Sequence, residues 1–350
     1  MIRGRKHADK IQRIRQDYDT RLNKVRLGMN EHVPKMPDDL FDKIISSFTN
    51  EMASAYPEVN QAYVYLSEYL DQPRDRLLLT SGADMAIQIT LESFCEPNDM
   101  VLTCAPTFAM YKIHAQLLNC EFNEVYCDDC GNFDLQKLID AMRQHPRILI
   151  IANPNGVTGY AFSVDELKIL LTNAEKFGIL VVLDETYADF APIDATPLLN
   201  EFNNLVIIKS FSKNIGMAGL RIGYIVTTEY LSEIIEKFKP MMEINSLSVL
   251  AVKYICSDRN LIKNEVAKVI NTRHTFAKAL NNLGFGVIEK DGNFVLVNFG
   301  AKKEKIMEKL VDNNIEFKKL PIPLNNYIRF TIATDKIMQN VVKLISGIKE

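Results

Sequence analysis

Leu205-Val-Ile-Ile-Lys209-Ser-Phe-Ser-Lys213-Asn-Ile-Gly-Met-Ala-Gly-Leu-Arg221-Ile-Gly-Tyr-Ile-Val226 reads as two apolar strands joined by a short polar loop. Residues 205–208 are continuously apolar and mostly β-branched, the pattern of a strand buried on both faces. Ser210, Ser212, Lys213, Arg221 and the glycines at 216, 219 and 223 follow within a few turns of chain. A lysine amine in a dry pocket can attack an aldehyde, while serine hydroxyls and an arginine fork can hold a phosphate. The same residues would also suit a polar loop at a sheet edge, so the rest of the chain has to decide.

Working outward, apolar segments at 77–80, 100–104, 121–125, 148–152, 179–184, 205–210 and 221–226 alternate with amphipathic ones. Such alternation implies an α/β architecture, a mostly parallel seven-stranded sheet flanked by helices. Helix punctuation agrees: Ser163-Val-Asp-Glu166 is a capping box, and Gly178 stands where a helix should stop. The turn over 81–84 opens a helix over 85–94, either as a phosphate-binding turn or simply with Asp84 as its cap, and the two readings are compatible. Past a long helical region near 233–280, the pattern becomes strands at 285–289, 294–299, 315–320 and 327–332, with helices at 303–313 and at the C-terminus. That is a smaller α+β unit. The expected division is an N-terminal arm and helix over 1–50, a large domain over 51–265 and a small domain over 266–350. Residues 3–26 are rich in Arg and Lys with interspersed Asp, a mixed pattern read as a solvated helix or a segment lying across a partner subunit. Residues 38–54 read as one amphipathic helix.

Length and composition narrow the class. A chain of 350 residues can bury a large core, and its net charge of −3 gives no general attraction to nucleic acid or to a membrane surface. No apolar run is long enough to span a bilayer and no apolar signal core opens the chain, which reads as a cytoplasmic protein. Six scattered cysteines fit reduced thiols, and Cys127-Asp-Asp-Cys130 lacks the companion ligands that a zinc site needs, so no metal is expected. His114, His145 and His274 stand singly and are read as structural.

In an open α/β sheet the ligand lies beyond the carboxyl ends of the strands. Those ends carry Ser81-Gly-Ala-Asp84, Pro106-Thr-Phe108, Asn153-Pro-Asn-Gly-Val-Thr-Gly159, Asp184-Glu-Thr-Tyr187 and Ser210-Phe-Ser-Lys213. Small residues opening a helix let backbone amides approach a phosphate. Asp184 ends an apolar run, where a carboxylate is costly unless it meets a cation or a strong donor.

With Asn30-Glu31, Tyr56-Pro57, Gly82-Ala-Asp84, Pro106 to Tyr111, Asp184 to Tyr187, Ser-Phe-Ser-Lys213 and Arg329 in sequence, the chain resembles the fold-type I pyridoxal-phosphate enzymes. The resemblance covers nearly the whole length and is strongest to the histidinol-phosphate aminotransferase-like branch. It implies pyridoxal 5'-phosphate as cofactor, with Lys213 as its covalent anchor and acid/base group. It implies Asp184 at the pyridine nitrogen, Tyr187 at the ring hydroxyl and Phe108 stacked on the ring. Ser210, Ser212, Arg221 and the Gly82 to Asp84 turn, through the amides of Ala83 and Asp84, would grip the phosphate. Tyr56 resembles the tyrosine that reaches the neighbouring subunit's cofactor, which implies a homodimer, and Arg329, Lys318 and Asn30 would face the substrate.

Two departures bear on specificity. The family's usual loop is Asn-Pro-Asn-Asn-Pro-Thr-Gly, but here the second asparagine of the pair is Gly156 and the next proline is Val157. The expectation is a rerouted loop, allowed by the backbone freedom of Gly156, with Asn155 donating to the ring in its place. Lys318 stands where phosphate-binding relatives often have arginine, so the planar two-pronged contact is lost while the charge stays. The resulting expectation is an aminotransferase moving an amino group from glutamate to a small phosphorylated carbonyl compound. The keto partner of histidinol phosphate and dihydroxyacetone phosphate both remain open as acceptors. The runner-up is a decarboxylase of phosphoserine or phosphothreonine.

Overall fold

The chain is described by a computed structural model over residue 4, residues 6–11 and residues 20–348. Residues 12–19 of the N-terminal segment expected over 3–26 lie outside the described residues. Further along, β1 (Val25–Arg26) pairs in parallel with a short strand near the C-terminus.

The helix expected over 38–54 is two helices, α1 (Asp38–Ser47) and α2 (Asn50–Ser54). Phe48 adopts an extended conformation that ends the first, and the Thr49 hydroxyl accepts from Met52 N to cap the second. After α3 (Val59–Leu70) the alternation begins: β2 (Leu77–Thr80), α4 (Gly82–Phe94), β3 (Met100–Ala105), α5 (Met110–Leu117), β4 (Glu121–Tyr126), α6 (Leu135–Met142), β5 (Ile148–Ala152), α7 (Val164–Phe177) and β6 (Leu180–Asp184). Then come β7 (Leu205–Ser210) and β8 (Gly223–Thr227). The capping box at Ser163 and Glu166 is present, and Gly178 closes α7 at φ 69°, a left-handed angle that glycine adopts without strain.

These seven strands form one sheet in the order β2-β8-β7-β6-β5-β3-β4, with β8 antiparallel to both of its neighbours. Every residue of β2, β5, β6 and β8 is buried, as the continuous apolar runs require when helices cover both faces. The expected helical region divides into α8 (Glu229–Glu236), α9 (Ser246–Cys256) and α10 (Leu261–Asn282).

The C-terminal part adds β9 (Gly286–Ile288), β10 (Phe294–Asn298), α11 (Lys303–Asp312), β11 (Ile315–Glu316), β12 (Lys318–Lys319), β13 (Tyr327–Thr331) and α12 (Asp335–Ser346). Its four-stranded antiparallel sheet has the order β12-β13-β10-β9. The single strand expected over 315–320 is split: β11 turns to pair with β1, and β12 pairs with β13. The N-terminal segment is thereby fastened to the C-terminal unit, with Leu27 O accepting from Thr331 N at 2.9 Å.

Candidate active site

Strand direction brings the polar ends together. Strands β3, β5, β6 and β7 are mutually parallel, so the residues after each lie along one edge of the sheet. Because β8 is antiparallel to both β7 and β2, β2 runs with the parallel set and β8 begins at that same edge. Ser210, Gly223 and Thr80 are consequently aligned across three strands, and the start of α4 faces the Arg221 turn.

That corner has the form of an anion cradle. A Cβ at Gly223 would come within 2.6 Å of Ala83 N, so only glycine lets β8 lie against the opening of α4. A Cβ at Gly82 would overlap the Arg221 guanidinium, which therefore rests on the α4 N-terminus. Arg221 reaches this place from φ 54°, a left-handed angle rare for arginine. Ser210 Oγ donates to Ile222 O at 3.1 Å and lies 2.9 Å from Ser212 Oγ. Helix amides, two hydroxyls and a guanidinium converge with no carboxylate in an ion pair to Arg221 among the described residues. That donor set suits a phosphate monoester. Asp84 is not the helix cap: α4 starts at Gly82 after Ser81, and the Asp84 carboxylate instead meets His114 Nε2 at 3.0 Å. His114 thus has a partner beside the cradle that its solitary place in the sequence gives no sign of.

At the end of β6, Asp184 is only 5% exposed. Its Oδ2 accepts from Tyr111 Oη at 2.6 Å, and its Oδ1 accepts from Thr186 N at 3.0 Å and Thr186 Oγ1 at 2.5 Å. Burial raises its pKa, against the opposing pull of the Thr186 and Tyr111 donors and the Lys213 charge. A carboxylate has about four acceptor sites, so three donors leave one on Oδ2 for a cationic N–H. Tyr111 and Thr186 are donors that the sequence motifs alone do not single out. Tyr111 lies three residues beyond Phe108, across the turn that leads into α5, and their rings meet edge to face at 5.7 Å. Phe108 is 43% exposed at the mouth and presents a ring that a flat heterocycle could cover.

Lys213, in the loop after β7, donates from Nζ to Met29 O at 3.2 Å and lies 5.9 Å from the centre of the Tyr187 ring. Lys209 is no rival. Its Nζ is 2.6 Å from Glu185 Oε2 in a buried pair. Burial alone would lower the Lys209 pKa, but the Glu185, Asp189 and Asp194 carboxylates outweigh it and hold the amine protonated.

The loop over 153–159 corrects the expectation for Asn155. Its Oδ1 accepts from Val157 N at 2.8 Å and Thr158 N at 3.0 Å, and its Nδ2 donates to Pro106 O at 3.2 Å. The amide braces the loop instead of standing ready for a ring. Gly156 is present for space and not for unusual angles, since its φ is not positive and a Cβ there would meet Tyr187 Cε2 at 2.7 Å. Gly156→Ala and Gly156→Asn are therefore expected to displace the Tyr187 ring and lower kcat/KM about tenfold or more, the size of an overpacking penalty. Unchanged kinetics in Gly156→Asn would show that the ring has room.

Asn30 is likewise corrected. It is 1% exposed, and its side chain is spent within the protein, with Nδ2 donating to Gly156 O at 3.0 Å and to Tyr187 Oη at 3.1 Å. It stands behind Tyr187, not against a substrate. Arg329, also buried, donates from Nη1 to Gly156 O at 2.6 Å and from Nη2 to Gly28 O at 3.0 Å, and its Nε–H has no partner among the described residues. Lys318 lies directly opposite Arg329 in the β12–β13 pair. Burial and then the Arg329 charge lower the Lys318 pKa, a cost that a dianion between the two would relieve. Tyr56 is 84% exposed on the stretch after α2.

A family model described as "Aminotransferase class I and II" matches residues 43–345. Histidinol-phosphate aminotransferase 1 of Carboxydothermus hydrogenoformans is 30% identical over 327 residues, covering 93% of each chain. Among solved structures, a histidinol-phosphate aminotransferase from Sinorhizobium meliloti in complex with pyridoxal-5'-phosphate superposes with a TM-score of 0.83 at 23% identity, covering 91% of this chain and 89% of that one. The L-threonine-O-3-phosphate decarboxylase from Porphyromonas gingivalis superposes with a TM-score of 0.78 at 22% identity, covering 92% and 98%. At those identities the two structures speak for the fold alone.

Proposed function

The chain belongs to the class I and II aminotransferases, in the histidinol-phosphate aminotransferase-like branch, and from that premise we propose that it moves an amino group from glutamate to a small phosphorylated carbonyl compound. Its cofactor is pyridoxal 5'-phosphate, which supplies an aldehyde for the incoming amine and an electron-withdrawing ring. The cradle of Ser210, Ser212, Arg221 and the Ala83 and Asp84 amides fits the phosphate. The open acceptor site on Asp184 Oδ2 fits the pyridine N–H.

In this reading Asp184 holds the proton on the ring nitrogen, Tyr187 orients the ring through its hydroxyl, and Phe108 covers one ring face. Lys213 Nζ anchors the cofactor, then carries a proton to and from the substrate carbon. Arg329 binds the substrate carboxylate in two-pronged fashion, using N–H groups not given to Gly156 and Gly28. Tyr56, exposed on its own subunit, reaches a partner's cofactor in a homodimer. Residues 51–265 then serve as the cofactor domain and 266–350 as the small C-terminal domain, with residues 25–27 bonded to the latter.

The observation that carries a phosphorylated acceptor is Lys318 set directly opposite Arg329. A phosphate dianion on the acceptor would be matched by these two facing cations. Lys318→Ala is expected to raise KM for a phosphorylated acceptor about tenfold, the worth of one charged hydrogen bond, with kcat little changed and no effect on an unphosphorylated acceptor. The reaction itself is tested by adding glutamate to the loaded protein. Conversion of the cofactor to its pyridoxamine form supports transfer. Release of carbon dioxide from phosphoserine or phosphothreonine without that conversion would establish the decarboxylase instead.

A further inference from the structure

We propose that Asn30 is a positioning residue that fixes the direction of the Tyr187 hydroxyl proton, and that Thr331 fixes Asn30 in turn. The hydrogen bonds determine their own polarity. Thr331 Oγ1 accepts from Asn30 N–H at 2.9 Å and donates its own proton to Asn30 Oδ1 at 3.2 Å. That assigns the oxygen of the Asn30 amide. The opposite end gives the same answer independently, because Gly156 O can only accept and lies 3.0 Å from Nδ2. The amide therefore cannot flip. Its remaining N–H must donate to Tyr187 Oη at 3.1 Å, and Tyr187 in consequence accepts there and has its own proton free for the site.

The backbone holds the amide in this attitude. Asn30 sits at φ 53°, in the left-handed region that asparagine tolerates better than most residues, and its carbonyl accepts from Asn293 Nδ2 at 3.1 Å. All four polar groups of a residue 1% exposed are thus engaged. The wiring runs from the C-terminal sheet, through a segment far away in sequence, to the loop after β6. Gly156 takes part with its carbonyl alone, and that carbonyl also accepts from Arg329 Nη1 at 2.6 Å. Asn30 and Arg329 therefore share one acceptor, which ties the orientation of the Tyr187 hydroxyl to the guanidinium meant for the substrate.

The inference rests on the reading of Tyr187 as the residue at the cofactor ring, and it is tested both with and without cofactor. Asn30→Gly removes the amide while keeping the left-handed backbone unstrained, and Thr331→Val leaves Asn30 in place but frees its Oδ1. In the unloaded protein, carbon-13 labelling at the tyrosine Cζ, with the Tyr187 signal assigned by its loss in Tyr187→Phe, is expected to show that signal move in both variants. A Tyr187 signal at its wild-type position in Asn30→Gly overturns the proposal whether or not the protein takes up cofactor. In the loaded protein the balance of the two visible absorption bands is followed against pH. Asn30→Gly and Tyr187→Phe are each expected to shift its midpoint, and the double variant to match Tyr187→Phe alone, because Asn30 acts only through that hydroxyl. Additive shifts would contradict this. kcat/KM should fall about tenfold in Asn30→Gly, mostly in kcat, as expected for one neutral hydrogen bond with a wrongly directed proton. Absence of any visible band in the wild type after addition of pyridoxal phosphate would count against the proposed function, while the tyrosine signal still decides the wiring.

Discussion

Replacing Lys213 with alanine is expected to cut turnover about ten-thousand-fold or more while leaving the fold intact. The loss combines two roles, covalent anchoring and proton transfer at the substrate carbon, and general acid/base catalysis alone accounts for about 10²- to 10⁴-fold. The fold should survive because the Lys213 amine makes one hydrogen bond, to Met29 O at 3.2 Å, and buries no charge pair. Truncation of a half-buried side chain of this kind costs about 1 kcal/mol or less. The neighbouring amine of Lys209 is not placed to take over, since it is locked to Glu185 at 2.6 Å. Activity within tenfold of wild type, measured on protein with an unchanged melting temperature, would remove Lys213 from the chemistry.

Asp184→Asn separates function from stability in opposite directions. Turnover is expected to fall about a thousandfold, the size of losing a buried electrostatic partner at the reacting group. The unloaded protein, by contrast, should become more stable at neutral pH. Burial raises the Asp184 pKa above its unfolded value. Between the two values the folded state binds more protons than the unfolded state, so this group lowers stability as pH rises through that window. Below the ordinary carboxylate range Asp184 is protonated in both states and the penalty vanishes. The asparagine variant, uncharged throughout, should therefore melt higher than wild type at pH 7, with the advantage narrowing as pH falls toward 4. Asparagine can still accept from Thr186 through Oδ1, and its Nδ2 can donate to Tyr111 Oη, so the local hydrogen bonds survive. A melting temperature several degrees below wild type at pH 7 would mean that Asp184 is retained for stability and not for a ligand.

Much of this site is legible in the sequence because parallel α/β sheets obey a strict rule. Continuous apolar runs mark the strands, and each is followed by a polar turn at the edge where ligands bind. Lys213, Asp184, Ser210 and Arg221 stand out in that way without any knowledge of geometry. The misreadings share a different cause. Motif position puts Asn155 and Asn30 against the ring and the substrate, but a short amide side chain is satisfied by whatever backbone comes near, and sequence does not reveal that neighbour. For Asn155 it is the next turn of its own loop, and for Asn30 it is a carbonyl 126 positions away. Gly156 reads as a licence for unusual angles, whereas its role is to leave room for the Tyr187 ring, which only contact geometry can show. The stretch over 315–320 is not one strand because hydrophobic pattern does not say when a strand changes partners, and here β11 and β12 pair with different sheets.

Borohydride reduction of the protein loaded with pyridoxal phosphate fixes the cofactor to whichever lysine holds its aldehyde, and peptide mass spectrometry then locates it. The adduct is expected on the peptide containing Lys213 and nowhere else, and to be absent from Lys213→Ala. An adduct on Lys209 or scattered over surface lysines, or no adduct at all, would contradict the assignment of Lys213 on which the whole mechanism stands.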